Sequence, residues 1–326
     1  MAATSPEPPL LSEKPVAKKP QPGAAKQSSP IAVILLYLIV VFIGAALIAP
    51  RFYACAQFLR DISYRFNFLA DVPFHRFVSR CLILLAIIGL PSLLKALGLR
   101  SASVLGFRAG PRHCIESLQG FAWSFVALAT LTALFLTFEV RVVDTAHTAT
   151  RWTQHLKNAA LSATLVAVLE EILFRSALFG ALRQSLSFSR AAILSSAVYS
   201  LLHFLRQPEF ASRRVQWTSG FEVLGQMLGG FTDFHVMIPA FFNYMLVGFL
   251  LALVFERSGS ILFPIGLHAG VVFWLKSLNF VTNPVKGEAS WFWGSEKVVD
   301  GWAAGILLLL VFLLIERTVP DRKVIE

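Results

Sequence analysis

The sequence predicts an all-α fold, a polytopic integral membrane helical bundle of about eight transmembrane helices, from three observations. Of its 326 residues, 56% are hydrophobic and only 15% charged, with a mean hydropathy of +0.66, a balance that excludes a soluble domain with a charged surface. Several runs reach the roughly 20 apolar residues that a helix needs to cross a bilayer. The alternating ten-residue pattern of a membrane barrel is absent from the sequence.

Taken in order, residues 1–29 are rich in Pro, Ser, Ala and Lys without apolar periodicity, and are expected to be a disordered basic tail. The charged stretch before Ile31 is too long for the leading region of a signal peptide, so the first helix is expected to remain as an anchor. Spans are predicted at 31–50, 81–98, 118–138, 158–182, 191–205, 236–255, 261–278 and 302–315. The 30–150 region thus holds N-terminal transmembrane helices, 151–280 a helical core, and 281–326 a loop, the last span and a short tail. Lys and Arg divide evenly between the two sides, and the tail lysines Lys14, Lys18, Lys19 and Lys26 point to an inside N-terminus.

Two connections stand out. Residues 51–80 interleave Phe52, Tyr53, Phe58 and Tyr64 with five arginines, a composition suited to an interfacial segment in the headgroup layer. Residues 206–235 carry Arg206, Arg213, Arg214 and Trp217 with four glycines, and read as an amphipathic linker or an interfacial lid. No internal repeat is evident, which weighs against inverted-repeat transporters using their acids and histidines as a proton relay. The net charge of +10 is scattered through short loops, so anionic lipids rather than nucleic acid are the expected partners. Cys55, Cys81 and Cys114 form no CxxC pair and indicate neither a disulfide framework nor a thiolate metal site.

The fourth span contains Glu170 and Glu171 side by side. An ionised side chain near a bilayer centre costs at least about 2.5–3.5 kcal/mol, so the pair must face a polar cavity, a partner or a catalytic task. Neighbours on a helix lie about 100° apart and cannot point the same way. Glu171 and Arg175, four apart with the acid first, can pair, which leaves Glu170 without a partner on its own helix. His203 and His268 fall inside the fifth and seventh spans among small residues, and Gly266-x-x-x-Gly270 has the spacing of a tight helix contact. One carboxylate and two imidazoles on three spans could therefore converge. His75, His113, His147, His155 and His235 read as loop residues with surface roles, and Glu256 and Glu316 as interfacial anchors.

The pattern Glu170-Glu171-x-x-x-Arg175, then Tyr199-x-x-x-His203, then Gly259-Ser260-Ile261-Leu262-x-Pro264 leading to His268 resembles the CPBP family of intramembrane proteases, named for CAAX prenyl proteases and bacteriocin-processing enzymes. The resemblance covers roughly residues 155–278. It implies that Glu170 activates a water, that His203 holds and polarises it, and that His268 stabilises the tetrahedral oxyanion, with Glu171, Arg175 and Tyr199 supporting the site. One carboxylate and two imidazoles could also hold zinc, with Glu170, His203 and His268 as the ligands, but no His-Glu-x-x-His is present. The resemblance favours a metal-free site without a cofactor.

Two positions depart from the family pattern. Tyr199 stands where Phe is usual, and Val272 where an Asn usually supplies a second oxyanion donor. Loss of such a donor costs on the order of 10²–10³ in rate. Lys276, one turn further on, is a candidate oxyanion auxiliary. The expected function is cleavage of a peptide bond in a membrane-associated, possibly prenylated, protein or peptide substrate. The alternative is a CPBP-like scaffold or immunity protein that binds a peptide or lipid without cutting it. The expected location is a bacterial cytoplasmic membrane.

Overall fold

The structure, a computed structural model, describes residues 29–99, 101–103, 105–107, 110–205, 214–231, 234–285, 290–295 and 297–319. The expected tail lies outside them except for Ser29. The helices are α1 (Pro30–Ile62), α2 (Asn67–Ala70), α3 (Phe74–Ala96), α4 (Pro111–Thr137), α5 (Ala149–Glu171), α6 (Gly180–Arg183), α7 (Phe188–Leu202), α8 (Ser219–Met227), α9 (Phe234–Ser258), α10 (Leu262–Val281), α11 (Ser290–Trp293) and α12 (Trp302–Thr318). A π-helical segment, Ile172–Phe179, joins α5 to α6. Two three-residue strands, β1 (Arg141–Val143) and β2 (Thr282–Pro284), pair antiparallel with Arg141 opposite Pro284.

The all-α architecture matches the expectation, but the count of crossings does not follow directly. Among the described residues, four helical stretches are long and apolar enough to cross a membrane: Pro30–Ile62, Phe74–Ala96, Cys114–Thr137 and Met237–Ser258. At 15 residues, α7 spans about 22 Å against a hydrocarbon core of about 30 Å. One side of it packs on α9 and on the π-helical segment, while Ile193, Leu194 and Leu201 on α7 are exposed.

The expected interfacial segment at 51–80 is mostly helix that belongs to its neighbours. Helix α1 runs through Pro50 to Ile62, about 50 Å in all, and α3 begins at Phe74 rather than 81. Arg51, Phe52, Phe58 and Ile62 are exposed on the extension. Pro50 lacks an N–H, so the Ala46 carbonyl loses its usual helical donor. Gly220 of α8 packs its backbone on that carbonyl, where a Cβ would overlap it. The 214–231 part of the expected linker is therefore docked on α1, while 206–213 lie outside the described residues.

Small residues set the other close approach. Gly266 and Gly270 of α10 lie against Ser117 and Ser124 of α4, and a Cβ at Gly266 would overlap the Ser117 carbonyl. The Ser124 hydroxyl is within 2.5 Å of the Leu267 carbonyl and 3.1 Å of its own-helix Gly120 carbonyl. Gly266→Ala is expected to cost about 1–3 kcal/mol by overpacking, read as a lower unfolding midpoint in detergent. An unchanged midpoint would show that α4 and α10 can separate freely.

The π-helical segment, α7, α9, α10 and α12 contribute to an apolar core that includes Phe174, Leu178, Phe179, Leu250, Leu251 and Leu267. Glu256, expected as an interfacial anchor, accepts from Arg183 on both oxygens, at 3.2 and 2.6 Å, which ties α6 to α9. Arg257 donates to the Glu316 carbonyl and, at 3.1 Å, to the Val319 carbonyl, tying α9 to α12. The histidine placements also need correction. His75, His113, His155 and His235 lie within helices α3, α4, α5 and α9, and only His147 is in a loop. His147 and His155 stack on opposite sides of the fold's Phe280 contact, with centroids 3.9 and 4.1 Å from that ring. Nearby, the Ala146 N–H and the Asn283 amide hold the Asp144 carboxyl below its ordinary range.

Candidate active site

Glu171 ends α5 and Arg175 lies one turn on, in the π-helical segment. They meet as the helical spacing predicts, with Arg175 Nε 3.1 Å from Glu171 Oε2. Glu171 is fully buried and Arg175 is 2% exposed. The guanidinium carbon also stands 4.7 Å from the Tyr199 ring centroid, a cation–π contact that offsets part of its desolvation. Tyr199 in turn packs edge-on against Phe174 at 5.1 Å. A π-helical turn widens the chain locally, and such turns recur at functional sites.

The other carboxylate oxygen of Glu171 does something the sequence reading did not expect. Its Oε1 lies 2.7 Å from His268 Nδ1, so this acid joins the latch on its own helix to a histidine of α10. An ionised carboxylate only accepts, so Nδ1 is the donor. His203, at the C-cap of α7, has Nδ1 2.9 Å from the Tyr199 carbonyl. A carbonyl likewise only accepts, which fixes the proton on Nδ1. Both rings therefore turn Nε2 toward the same point.

Glu170 Oε2 occupies that point. It is 3.8 Å from His203 Nε2 and 3.8 Å from His268 Nε2. The Glu170 side chain is 29% exposed, against 0% for Glu171, yet Oε2 itself is buried and has no hydrogen-bond partner among the described residues. The three residues thus converge, and the adjacent acids take separate roles: Glu171 pairs with the Arg175 guanidinium and accepts from His268, while Glu170 presents Oε2 to both imidazoles.

A zinc ion would put two ligands at about 2.0–2.1 Å, hence about 3.3 Å from each other in a tetrahedral site. The 3.8 Å separations are wider, and among the described residues no three His, Cys, Asp or Glu side chains are arranged to hold a metal. A water at ordinary hydrogen-bond distance, about 2.8 Å, from both Glu170 Oε2 and His203 Nε2 does fit between them.

His203 and His268 line a cavity of about 730 Å³ whose walls include Met237, Tyr244, Val247, Leu267 and Val272. Val272 is therefore at the site, and it offers no donor there. Lys276 is not among the lining residues. Its charge bears on the His155 ring, which burial first and Lys276 second hold below the ordinary imidazole range. Tyr244, which the sequence reading passed over, has its ring 4.4 Å from that of His203. The Asn243-Tyr244 pair inside an otherwise apolar span was the signal that pointed to this wall.

A further part of the wall comes from the loop before α12, with Ser295, Lys297, Val299 and Asp300. Asn243 of α9 donates to the carbonyls of Val299, at 2.6 Å, and Gly301, at 2.8 Å. Asp300 accepts from the Ser295 N–H at 2.8 Å and from its hydroxyl. Between these anchors Val298 is buried with φ of 65°. A β-branched residue in that region costs on the order of 1–3 kcal/mol, which persists only where the surroundings over-determine it.

A model of the Rce1-like type II CAAX prenyl endopeptidase family matches residues 151–274. No curated protein and no solved structure matches the chain. The matched segment contains Glu170, Glu171, Arg175, Tyr199, His203 and His268, in the order and spacing of the motifs read from the sequence, whereas Lys276 and the 295–300 wall lie beyond it. Residues 151–274 are thus similar to an Rce1-like CAAX prenyl endopeptidase domain, in agreement with the CPBP resemblance of the motifs, within an integral membrane protein.

Proposed function

We propose that the protein hydrolyses a peptide bond of a membrane-associated, prenylated substrate with a water activated by Glu170. The observation that carries this reading is the buried, unpartnered Glu170 Oε2 set 3.8 Å from two imidazole Nε2 atoms. In this scheme the water donates one hydrogen to Glu170 Oε2 and the other to His203 Nε2. Glu170 takes a proton as the water oxygen attacks the carbonyl carbon, and the carbonyl π bond becomes the oxyanion. His268, protonated on both nitrogens, donates from Nδ1 to Glu171 and from Nε2 to that oxyanion. When the tetrahedral species collapses, the C–N bond breaks and Glu170 returns its proton to the leaving amine.

The protein's own residues supply each of these roles without a metal or another cofactor. Prenylation enters through the name of the matched family, and the apolar wall formed by Met237, Val247, Leu267 and Val272 suits an isoprenoid chain. Membrane lipids are the other partners we infer, held by the exposed apolar flanks of α1 and α12. We read the N-terminus as cytoplasmic, from its lysines.

The test is to incubate the purified protein in nanodiscs with a farnesylated Cys-aliphatic-aliphatic-X peptide and its unprenylated twin. Release of the C-terminal tripeptide from the first, unchanged after chelator treatment, is expected. Turnover that a chelator removes and zinc restores would overturn the metal-free scheme. Val272 specifically favours a second reading, a scaffold that binds the peptide uncut, and saturable binding with no product from any peptide would select it.

A further inference from the structure

We infer that Lys297 docks the free C-terminal carboxylate of the peptide substrate. This rests on the proposed cleavage of a CAAX-type peptide, whose defining motif is C-terminal and therefore ends in a carboxylate. Lys297 is exposed and lines the same cavity as His203 and His268. Among the described residues it forms no ion pair. Among the described residues of its loop the acid is Asp300, which is 4% exposed and already accepts from the Ser295 N–H and hydroxyl. The cavity wall thus presents a cation to solvent while its carboxylate is committed elsewhere.

The loop is built to hold that position. The two bonds from Asn243 to the carbonyls of Val299 and Gly301 fasten it to α9, and Val298 is buried in a left-handed conformation immediately after Lys297. A β-branched residue persists in such a conformation only where its surroundings over-determine it, and strained residues of this kind cluster at ligand clamps. Tyr244, whose ring centroid is 4.4 Å from that of His203, is next in the chain to Asn243, which donates to the Val299 and Gly301 carbonyls, so adjacent residues of α9 connect the reacting histidine to the Lys297 loop. A three-residue leaving peptide reaches about 10 Å when extended.

An ammonium at this place accepts a carboxylate through a charge-assisted hydrogen bond and discriminates against a neutral carboxamide. The experiment compares a farnesylated Cys-aliphatic-aliphatic-X peptide as free acid and as C-terminal amide. With the wild-type protein the acid is expected to show a KM about tenfold lower, with similar kcat. Lys297→Met should erase the difference, and Lys297→Arg should keep most of it. Equal KM values for acid and amide in the wild type would overturn the assignment, as would a preference that survives in Lys297→Met.

Direct binding of both peptides to the Glu170→Gln protein separates this inference from the proposed reaction. A preference for the acid there that requires Lys297 supports the dock even if no peptide is cut, whereas equal affinity overturns it even if both are cut.

Discussion

Glu170→Gln is expected to lower kcat on a farnesylated peptide by about 10²–10⁴-fold, the contribution of a positioned general base, with little change in KM or in the unfolding midpoint. The glutamine keeps the side-chain shape but cannot take the water's proton. Because Glu170 Oε2 accepts no hydrogen bond from the described residues, the substitution breaks no existing tie, and folding serves as an internal control. Glu170→Asp keeps the carboxylate but withdraws it by a methylene from a point 3.8 Å from both Nε2 atoms, and should recover only part of the rate. Turnover of Glu170→Gln equal to that of the wild type, measured by tripeptide release, would remove Glu170 from the reaction.

Arg175→Met should act in the opposite way, mainly on stability. Removing one member of a buried ion pair costs about 3–5 kcal/mol, because the remaining charge is left without compensation. Glu171 is fully buried and would keep only His268 Nδ1, at 2.7 Å. Arg175→Lys should be only a partial replacement, since an ammonium cannot stack its face over Tyr199 as the guanidinium does at 4.7 Å. The measurement is denaturant or thermal unfolding in detergent, with kcat followed on whatever fraction folds. A midpoint shift below about 1 kcal/mol in Arg175→Met would mean that the pair is solvated and does not hold the site together.

The contrast between these two variants separates the adjacent acids experimentally. Substitution at Glu170 should remove chemistry and leave the fold, whereas loss of the Glu171–Arg175 pair should weaken the fold and disturb His268 with it. His268→Gln connects the two, because it removes both the acceptor-bound Nδ1 and the Nε2 that faces Glu170.

How much of this was legible in the sequence depended on the range of each interaction. The Glu171–Arg175 pair could be read because helical geometry alone brings positions four apart together, and it survives the change to π-helical winding after Glu171. The close contact of Gly266 and Gly270 could be read from their spacing, though not that α4 would be their neighbour. His155 was misplaced because its polar surroundings, from Thr148 to Lys157, resemble a loop until the apolar side of α5 is seen packed on α10. The partner of Glu256 is illegible for a similar reason: Arg257 is adjacent, while Arg183, which donates to it, is 73 residues away.

The sequence by itself determined that this is a helical membrane protein, that two acids and two histidines sit where hydrocarbon would not tolerate them unaided, and which family motifs they form. The first two conclusions follow from composition, period and desolvation cost and the third from a resemblance, and none of them needs knowledge of tertiary contacts. Only the tertiary structure decided that Glu171 reaches His268 across 97 residues, that Glu170 presents Oε2 to both imidazoles, and that a pinned loop adds Lys297 to the cavity wall. Each of these depends on the relative placement of separate helices. That placement is set by small-residue contacts, buried pairs and capped loops acting together, and local sequence patterns carry no distance information about it.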